Sequence, residues 1–170
     1  MTTIIGIVGS TLLYIRRIKR KQRETMEAYL ALLEKNENKV IEEHGETANT
    51  TEEAPVVDNT EDDLLMKRIV AYMEDNLGNS DLTIDDIAQA VAMSRTSLHR
   101  KMKQLMGTSP MEFLREARIR KAAKMLTATT KSVSEIAYHC GFSDPKYFSK
   151  CFRQTLGDTP TEYRQHATSR

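Results

Sequence analysis

The chain has 170 residues, 39% of them hydrophobic, and a formal net charge of +1. This length leaves room for one small domain with accessory segments. The charge is unevenly distributed, because residues 41–63 hold nine acids and no lysine or arginine, whereas residues 81–165 hold 14 lysines and arginines against nine acids. The near-neutral total therefore conceals a basic domain behind an acidic segment.

The N-terminal stretch Thr2–Ile15 is uncharged, and six basic residues follow within residues 16–23. Charge after an apolar run is the order of a membrane helix whose basic end faces the cytoplasm, and it reverses the order of a secretory signal. Fourteen helical residues reach only about 21 Å, against about 30 Å of hydrocarbon. We predict an inner-membrane anchor over residues 1–23, completed by residues outside this sequence or spanning a thinned bilayer. The alternative is a soluble cytoplasmic protein with an apolar N-terminal helix.

Two accessory segments follow the basic flank. Residues 24–41 predict a juxtamembrane helix whose thin apolar stripe leaves self-association open. Residues 42–61 are rich in acids and threonine and poor in apolar side chains, which predicts a disordered acidic linker. An amphipathic helix over residues 62–76 then begins the main domain. Its predicted apolar positions are Leu64, Leu65, Ile69, Tyr72 and Met73.

From residue 83 onward, one helical pattern occurs twice. The copies are 49 positions apart before the turn and 50 apart after it, which places one inserted residue at the start of the second basic helix. A duplicated unit of this kind predicts a repeated fold element. The paired positions are Ile87 and Ile136, Ala88 and Ala137, Met93 and Phe142, Leu98 and Phe148, Met102 and Phe152, Gly107 and Gly157, and Pro110 and Pro160.

Each copy reads as a helix, a tight turn and a second helix. Thr83 and Ser94 are predicted N-caps, Gly107 is a predicted helix stop, and Ser109 with Pro110 begins a joining helix. The predicted fold is all-α, with helix-turn-helix subdomains over residues 83–107 and 132–157 joined by a linker helix over 109–126. The whole domain is predicted to extend over residues 62–167.

The second helix of each copy carries an outward face rich in cations and hydrogen-bond donors. Such helices fit the major groove, and two of them about 34 Å apart would enter successive grooves on one side of a duplex. The candidate DNA-binding residues are Arg95, Thr96, Ser97, His99, Arg100 and Lys103 in the first copy, and Pro145, Lys146, Ser149, Lys150 and Arg153 in the second.

Three motifs of the second copy resemble the signature of the AraC/XylS family of bacterial transcription regulators. They read Glu135-Ile-Ala-Tyr-His-Cys-Gly-Phe-Ser-Asp144, Tyr147-Phe-Ser-Lys-Cys-Phe-Arg153 and Gly157-Asp-Thr-Pro-Thr-Glu-Tyr-Arg164. The stretch Arg118-Ile-Arg-Lys-Ala122 is similar to the family's linker helix. The resemblance extends over residues 62–165 and departs from the family at Cys151 and at Pro145, in the first turn of the second basic helix.

The resemblance implies a sequence-specific regulator that binds double-stranded DNA and works with RNA polymerase. The N-terminal stretch predicts that it is the cytoplasmic output end of a membrane-bound sensor. The alternative is a membrane-anchored helical module that binds a protein partner. We predict no enzyme activity, no cofactor and no metal site, and we expect Cys140 and Cys151 to be buried thiols. The four histidines are His44, His99, His139 and His166, and none has a carboxylate or a nucleophile at a spacing suited to catalysis.

Overall fold

The computed structural model describes residues 20–31 and 61–168, and within these ranges the chain forms only helices and their connections. The prediction of an all-α fold is confirmed. The apolar stretch 2–15 and the acidic linker up to residue 60 lie outside the described residues. The helices are α1 (20–31), α2 (Glu61–Asp75), α3 (Ile84–Ala90), α4 (Arg95–Met106), α5 (Pro110–Ala128), α6 (Val133–His139), α7 (Pro145–Leu156) and α8 (Pro160–Thr168).

Every helix in the described ranges is too short or too polar to cross a bilayer. The apolar face predicted for α2 is confirmed except at Leu64, because Leu65 and Tyr72 pack partly buried against the same core as the buried positions. Met66, Ile69, Val70 and Met73 are buried, whereas Leu64 is 53% exposed. The buried set follows helical i, i+3, i+4, i+7 spacing from Met66, and this face turns Leu64 outward.

Four reciprocal caps start helices at equivalent places in the two copies. In the first, the Thr83 side chain accepts from the backbone N–H of Asp86, whose carboxylate accepts from the Thr83 N–H at 2.9 Å. This pairing satisfies two N–H groups that a helix start otherwise leaves open. Hydrogen bonds from the cap residue lower the pKa of each acid. The other three pairs are Ser109 with Glu112, Ser132 with Glu135, and Thr159 with Glu162.

The turn inside each copy has the same hydrogen bond. The Met93 N–H donates to the Ala88 carbonyl at 2.9 Å in the first copy, and the Phe142 N–H donates to the Ala137 carbonyl at 3.0 Å in the second. The residue before each donor has a positive φ, as does the C-cap glycine of α4, Gly107, at +73°. The inserted residue lies in the second turn ahead of α7, because α6 still ends 49 positions after α3 while α7 begins 50 positions after α4.

Helix α5 is shared by two hydrophobic cores. We call these cores the first unit and the second unit. The first unit contains buried residues of α1 to α4 and of α5 up to Ala117. The second unit begins at Ile119 and contains the buried residues of α6 and α7. Six of the positions paired in the repeat are core residues, with exposures of 0–3%. They are Ile87, Ala88, Leu98, Ile136, Ala137 and Phe148.

Arg118 lies on α5 between the two cores and is itself buried, with 8% exposure. Its Nε donates to the Leu77 carbonyl at 2.9 Å, and its Nη2 donates to the Asn79 carbonyl at 2.6 Å. Burial lowers the pKa of this guanidinium. Because these carbonyls belong to the segment that leads into α3, Arg118 ties the entrance of the first helix-turn-helix to the shared helix.

The second unit is closed by aromatic rings and by another arginine. Phe148 packs edge-on against Phe142 and Phe152, with ring centroids 5.1 and 5.6 Å apart, and Arg164 of α8 donates from Nε to the Leu126 carbonyl at 3.1 Å. Cys140 and Cys151 are both buried and neither forms a disulfide, as predicted.

Candidate nucleic-acid interface

Helix α4 presents the candidate residues of the first copy on its open side. Leu98, Met102 and Met106 are buried against the first core, so the other faces of the helix meet solvent. Of the predicted residues, only Ser97 is half-buried, and the exposed ones are Arg95, Thr96, His99, Arg100 and Lys103. The structure therefore gathers the first predicted set on one accessible basic surface, which we call the α4 face.

Two members of the α4 face already have local partners. The Ser97 hydroxyl accepts from Ser94 Oγ at 2.9 Å, and the Ser97 backbone N–H donates to the same oxygen at 3.1 Å, so this serine helps to cap the helix. Arg95 forms a 3.4 Å ion pair with Asp85 of α3, and both side chains are about two-thirds exposed (65% and 67%). An exposed pair of this kind contributes only about 0–1 kcal/mol, so a phosphate can compete for Arg95.

Helix α7 presents the second set. Lys146, Lys150 and Arg153 are exposed, and Phe148, Cys151 and Phe152 fill the opposite side. Asp144 is the N-cap and accepts from the Lys146 N–H at 2.8 Å. Its carboxylate is therefore committed to the helix start, where it also offsets part of the positive charge that α7 presents.

The two remaining predicted residues of α7 are half-buried. Pro145 occupies the first helical position, where a missing N–H is tolerated. The Ser149 hydroxyl donates to the Pro145 carbonyl at 2.9 Å, within its own helix. These side chains shape the start of α7, and the exposed cations of the helix are able to contact phosphates.

Tyr147 was not among the predicted site residues, although it lies beside Lys146 and is 50% exposed. Its ring centroid lies 6.4 Å from that of Phe142, and half of the residue's surface stays accessible to solvent. An amphipathic ring in a basic surface can contact a thymine methyl group or a sugar. The signal was present in the sequence as an aromatic residue placed between lysines on the outer face.

A family model described as a helix-turn-helix domain matches residues 72–166, more than half of the chain. The chain belongs to the AraC-type helix-turn-helix family. The match contains α4, α5 and α7 in full.

Similar proteins include regulators and a much longer kinase. The chain is 37% identical over 97 residues to the transcriptional activator RhaS of Escherichia coli O157:H7, covering 57% of this chain and 34% of RhaS. It is 37% identical over 103 residues to histidine kinase P4 of Formosa agariphila, covering 61% of this chain but 8% of the kinase. The chain thus matches about a third of one relative and a small part of the other.

Solved structures of DNA-binding domains share this fold. An AraC-type regulator from Chromobacterium violaceum is 36% identical, with a TM-score of 0.58 over 62% of this chain and 93% of that one. The DNA-binding domain of AdpA, solved in complex with a target DNA, is 30% identical, again with a TM-score of 0.58 and the same coverage.

Proposed function

We propose that this chain is a sequence-specific transcription regulator that reads two successive major grooves with α4 and α7. The observation that carries the proposal is the repetition of one exposed basic helix on a common scaffold, with α5 contributing to both cores. One polypeptide would then do what a two-fold dimer does elsewhere, and the bound site would extend over about 20 base pairs. The likeness to the AdpA domain, whose structure contains target DNA, supports this proposal.

The two reading helices have different chemistry, and we assign them different tasks. The α4 face offers His99 and two arginines, and the planar fork of either arginine can bond both acceptors of a guanine. Because Arg95 is paired with Asp85, we assign this contact to Arg100. The exposed ionic groups of α7 are Lys146, Lys150 and Arg153, and its only carboxylate at the start is used as a cap. We therefore assign base readout chiefly to α4 and phosphate anchoring chiefly to α7.

The test begins with a binding site selected from random duplexes by the full-length chain, followed by footprinting and affinity measurements at two salt concentrations. Arg100→Ala should weaken binding to the selected site by about 1–3 kcal/mol and relax the preference at one base pair. Arg68→Ala is the matched control, because Arg68 is an exposed arginine that belongs to α2 and to neither α4 nor α7. It should leave the selected site bound as in the wild type.

Several results would contradict this assignment. A footprint confined to one groove would refute bipartite reading, and an equal loss of affinity for selected and random DNA would reduce Arg100 to a phosphate contact. Retention on heparin that does not depend on salt would favour the alternative, a helical module that binds a protein partner, because phosphate contacts release counterions and weaken steeply with salt.

We also propose that the domain is the output end of a longer membrane-bound sensor that acts with RNA polymerase and self-associates next to the bilayer. The uncharged stretch 2–15 with its basic flank supports an anchor, and the match to a small part of a histidine kinase supports a longer protein. Fractionation of the full-length chain tests the anchor. Recovery in the soluble fraction at low salt without detergent would refute it.

A further inference from the structure

Helix α1 is seated on the first unit, although it precedes α2 by 29 residues that lie outside the described ranges. Tyr29 and Leu30 are 4% and 1% exposed and belong to the same buried cluster as the core residues of α2 to α5. Met26, one turn earlier, packs partly buried against that cluster. The exposed Ala28 and Ala31 occupy other positions of the helix, so α1 is amphipathic and its apolar side is covered by the domain.

Polar contacts fix the position of α1 against both α4 and α5. The Gln22 side-chain amide donates to the Gln104 carbonyl at 2.9 Å, in the last turn of α4, where carbonyl groups have no partner within the helix. A Cβ atom at Gly107 would lie 2.7 Å from Gln22 Oε1, so the two groups are closely apposed. Further along α1, the Glu27 carboxylate forms an ion pair with the Arg120 guanidinium of α5, at an N···O distance of 2.7 Å.

One buried group in this contact is left unsatisfied. The Tyr29 hydroxyl is inaccessible to solvent and has no hydrogen-bond partner among the described residues, and burial raises the pKa of this phenol. An unmade hydrogen bond at a buried hydroxyl is unfavourable, so the seated position of α1 is less stable than its apolar contacts alone would make it. A phenylalanine would fill the same space without that penalty.

We propose that α1 is a displaceable element that couples the N-terminal part of the chain to the first reading helix. Seated, it holds the end of α4 through Gln22 and links it to α5 through Glu27, while Arg95, His99 and Arg100 stay exposed. Seating therefore favours DNA binding, and release of α1 weakens it. The inference rests on the proposed DNA-binding function, but the seating itself can be measured without DNA.

Hydrogen exchange of the full-length chain measures the seating, and affinity for the selected site measures its consequence. Tyr29→Ser combined with Leu30→Ser should abolish protection of residues 20–31 and weaken DNA binding about tenfold, within the usual range of coupling between two sites. The matched control is Ala28→Ser with Ala31→Ser, which makes the same kind of change at exposed positions of the same helix. The control should change neither quantity.

Because coupling between two sites is reciprocal, DNA binding should in turn stabilise the seated position of α1, an effect that a purely structural role of α1 would not produce. If seating strengthens DNA binding, the selected DNA must increase the protection of residues 20–31 by the same factor. Two milder substitutions should leave the fold intact and have opposite effects on the protection of residues 20–31. Tyr29→Phe should raise protection and leave binding equal or tighter, whereas Gln22→Ala should lower protection and weaken binding several-fold.

Three outcomes would overturn the coupling. Wild-type residues 20–31 could exchange as fast as an unfolded peptide, the serine pair could lose protection yet bind DNA normally, or it could bind more tightly, which would make α1 an inhibitor. Should the serine pair unfold the domain, Gln22→Ala decides the matter, because lowered protection of residues 20–31 with unchanged affinity refutes the coupling. A wild-type chain that protects residues 20–31 but binds no DNA would refute the proposed function instead.

Discussion

Gly141→Ala should destabilise the domain far more than Gly157→Ala, although both glycines have positive φ, at +78° and +92°. Left-handed backbone costs an alanine roughly 1–2 kcal/mol at either position. A Cβ atom at Gly157 meets nothing within 4 Å, whereas at Gly141 it would lie 2.4 Å from the Leu77 carbonyl oxygen and 2.9 Å from Arg118 Nε. Overpacking of this kind adds about 1–3 kcal/mol, which brings the Gly141 variant to roughly 2–5 kcal/mol.

Thermal and denaturant unfolding of the two variants beside the wild type provides the measurement. In a domain of about 100 residues, each kcal/mol lowers Tm by roughly 4–8 °C, so Gly157→Ala should lose roughly 4–16 °C and Gly141→Ala about twice as much or more. Equal losses would show that the backbone angle alone sets the cost. They would also remove the argument that the second turn presses against Arg118 and the entrance of the first helix-turn-helix.

Three further predictions concern the scaffold. Ala92 occupies the position of Gly141 in the first copy with φ of 55°, so Ala92→Gly should stabilise the fold by up to about 1 kcal/mol in denaturant unfolding. Ala88→Leu should overpack the crossing of α3 and α4 by about 1–3 kcal/mol, and unchanged Tm would mean that this crossing has spare room. Because hydrogen bonds from Ser109 lower the pKa of Glu112, the stability that this carboxylate contributes is complete above about pH 4.3 and is lost as the pH falls through its folded pKa. Glu112→Gln should therefore flatten the acid limb of the stability curve, and an unchanged limb would contradict the role of the cap.

Local chemistry made much of this fold predictable. Caps such as Thr83 and Ser109 act on backbone groups two or three residues away, so a short stretch of sequence contains both partners. Because the helix-turn-helix pattern occurs twice, its helices and turn could be predicted from each copy independently. The face of α2 was less predictable, because the run Leu64-Leu-Met66 offers apolar side chains in consecutive positions and only the packing of the neighbouring helices selects Met66.

Long-range contacts could not be predicted in this way. Gln22 and Gln104 are 82 residues apart, and no periodicity or spacing in the sequence connects an amide in a basic N-terminal segment to the last turn of a reading helix. The same limit applies within the candidate interface. Helical periodicity predicted that Ser97 and Ser149 would be near the surface, but it could not predict that each hydroxyl bonds to its own helix or cap.

In each unit an arginine holds the chain segment that precedes the helix-turn-helix, but the two arginines do not occupy equivalent positions of the repeat. Arg118 lies eight residues after Pro110, which begins α5, and Arg164 lies four residues after Pro160, which begins α8. Each nevertheless donates to a carbonyl of the segment that leads into its own helix-turn-helix, Arg118 to Asn79 and Arg164 to Lys131. Because Arg118 also lies within about 3 Å of the space beside Gly141, it contacts both units, whereas Arg164 closes only the second. Arg118 therefore links the turn of the second unit to the entrance of the first, and this contact adds to the packing of both apolar cores on the shared helix α5.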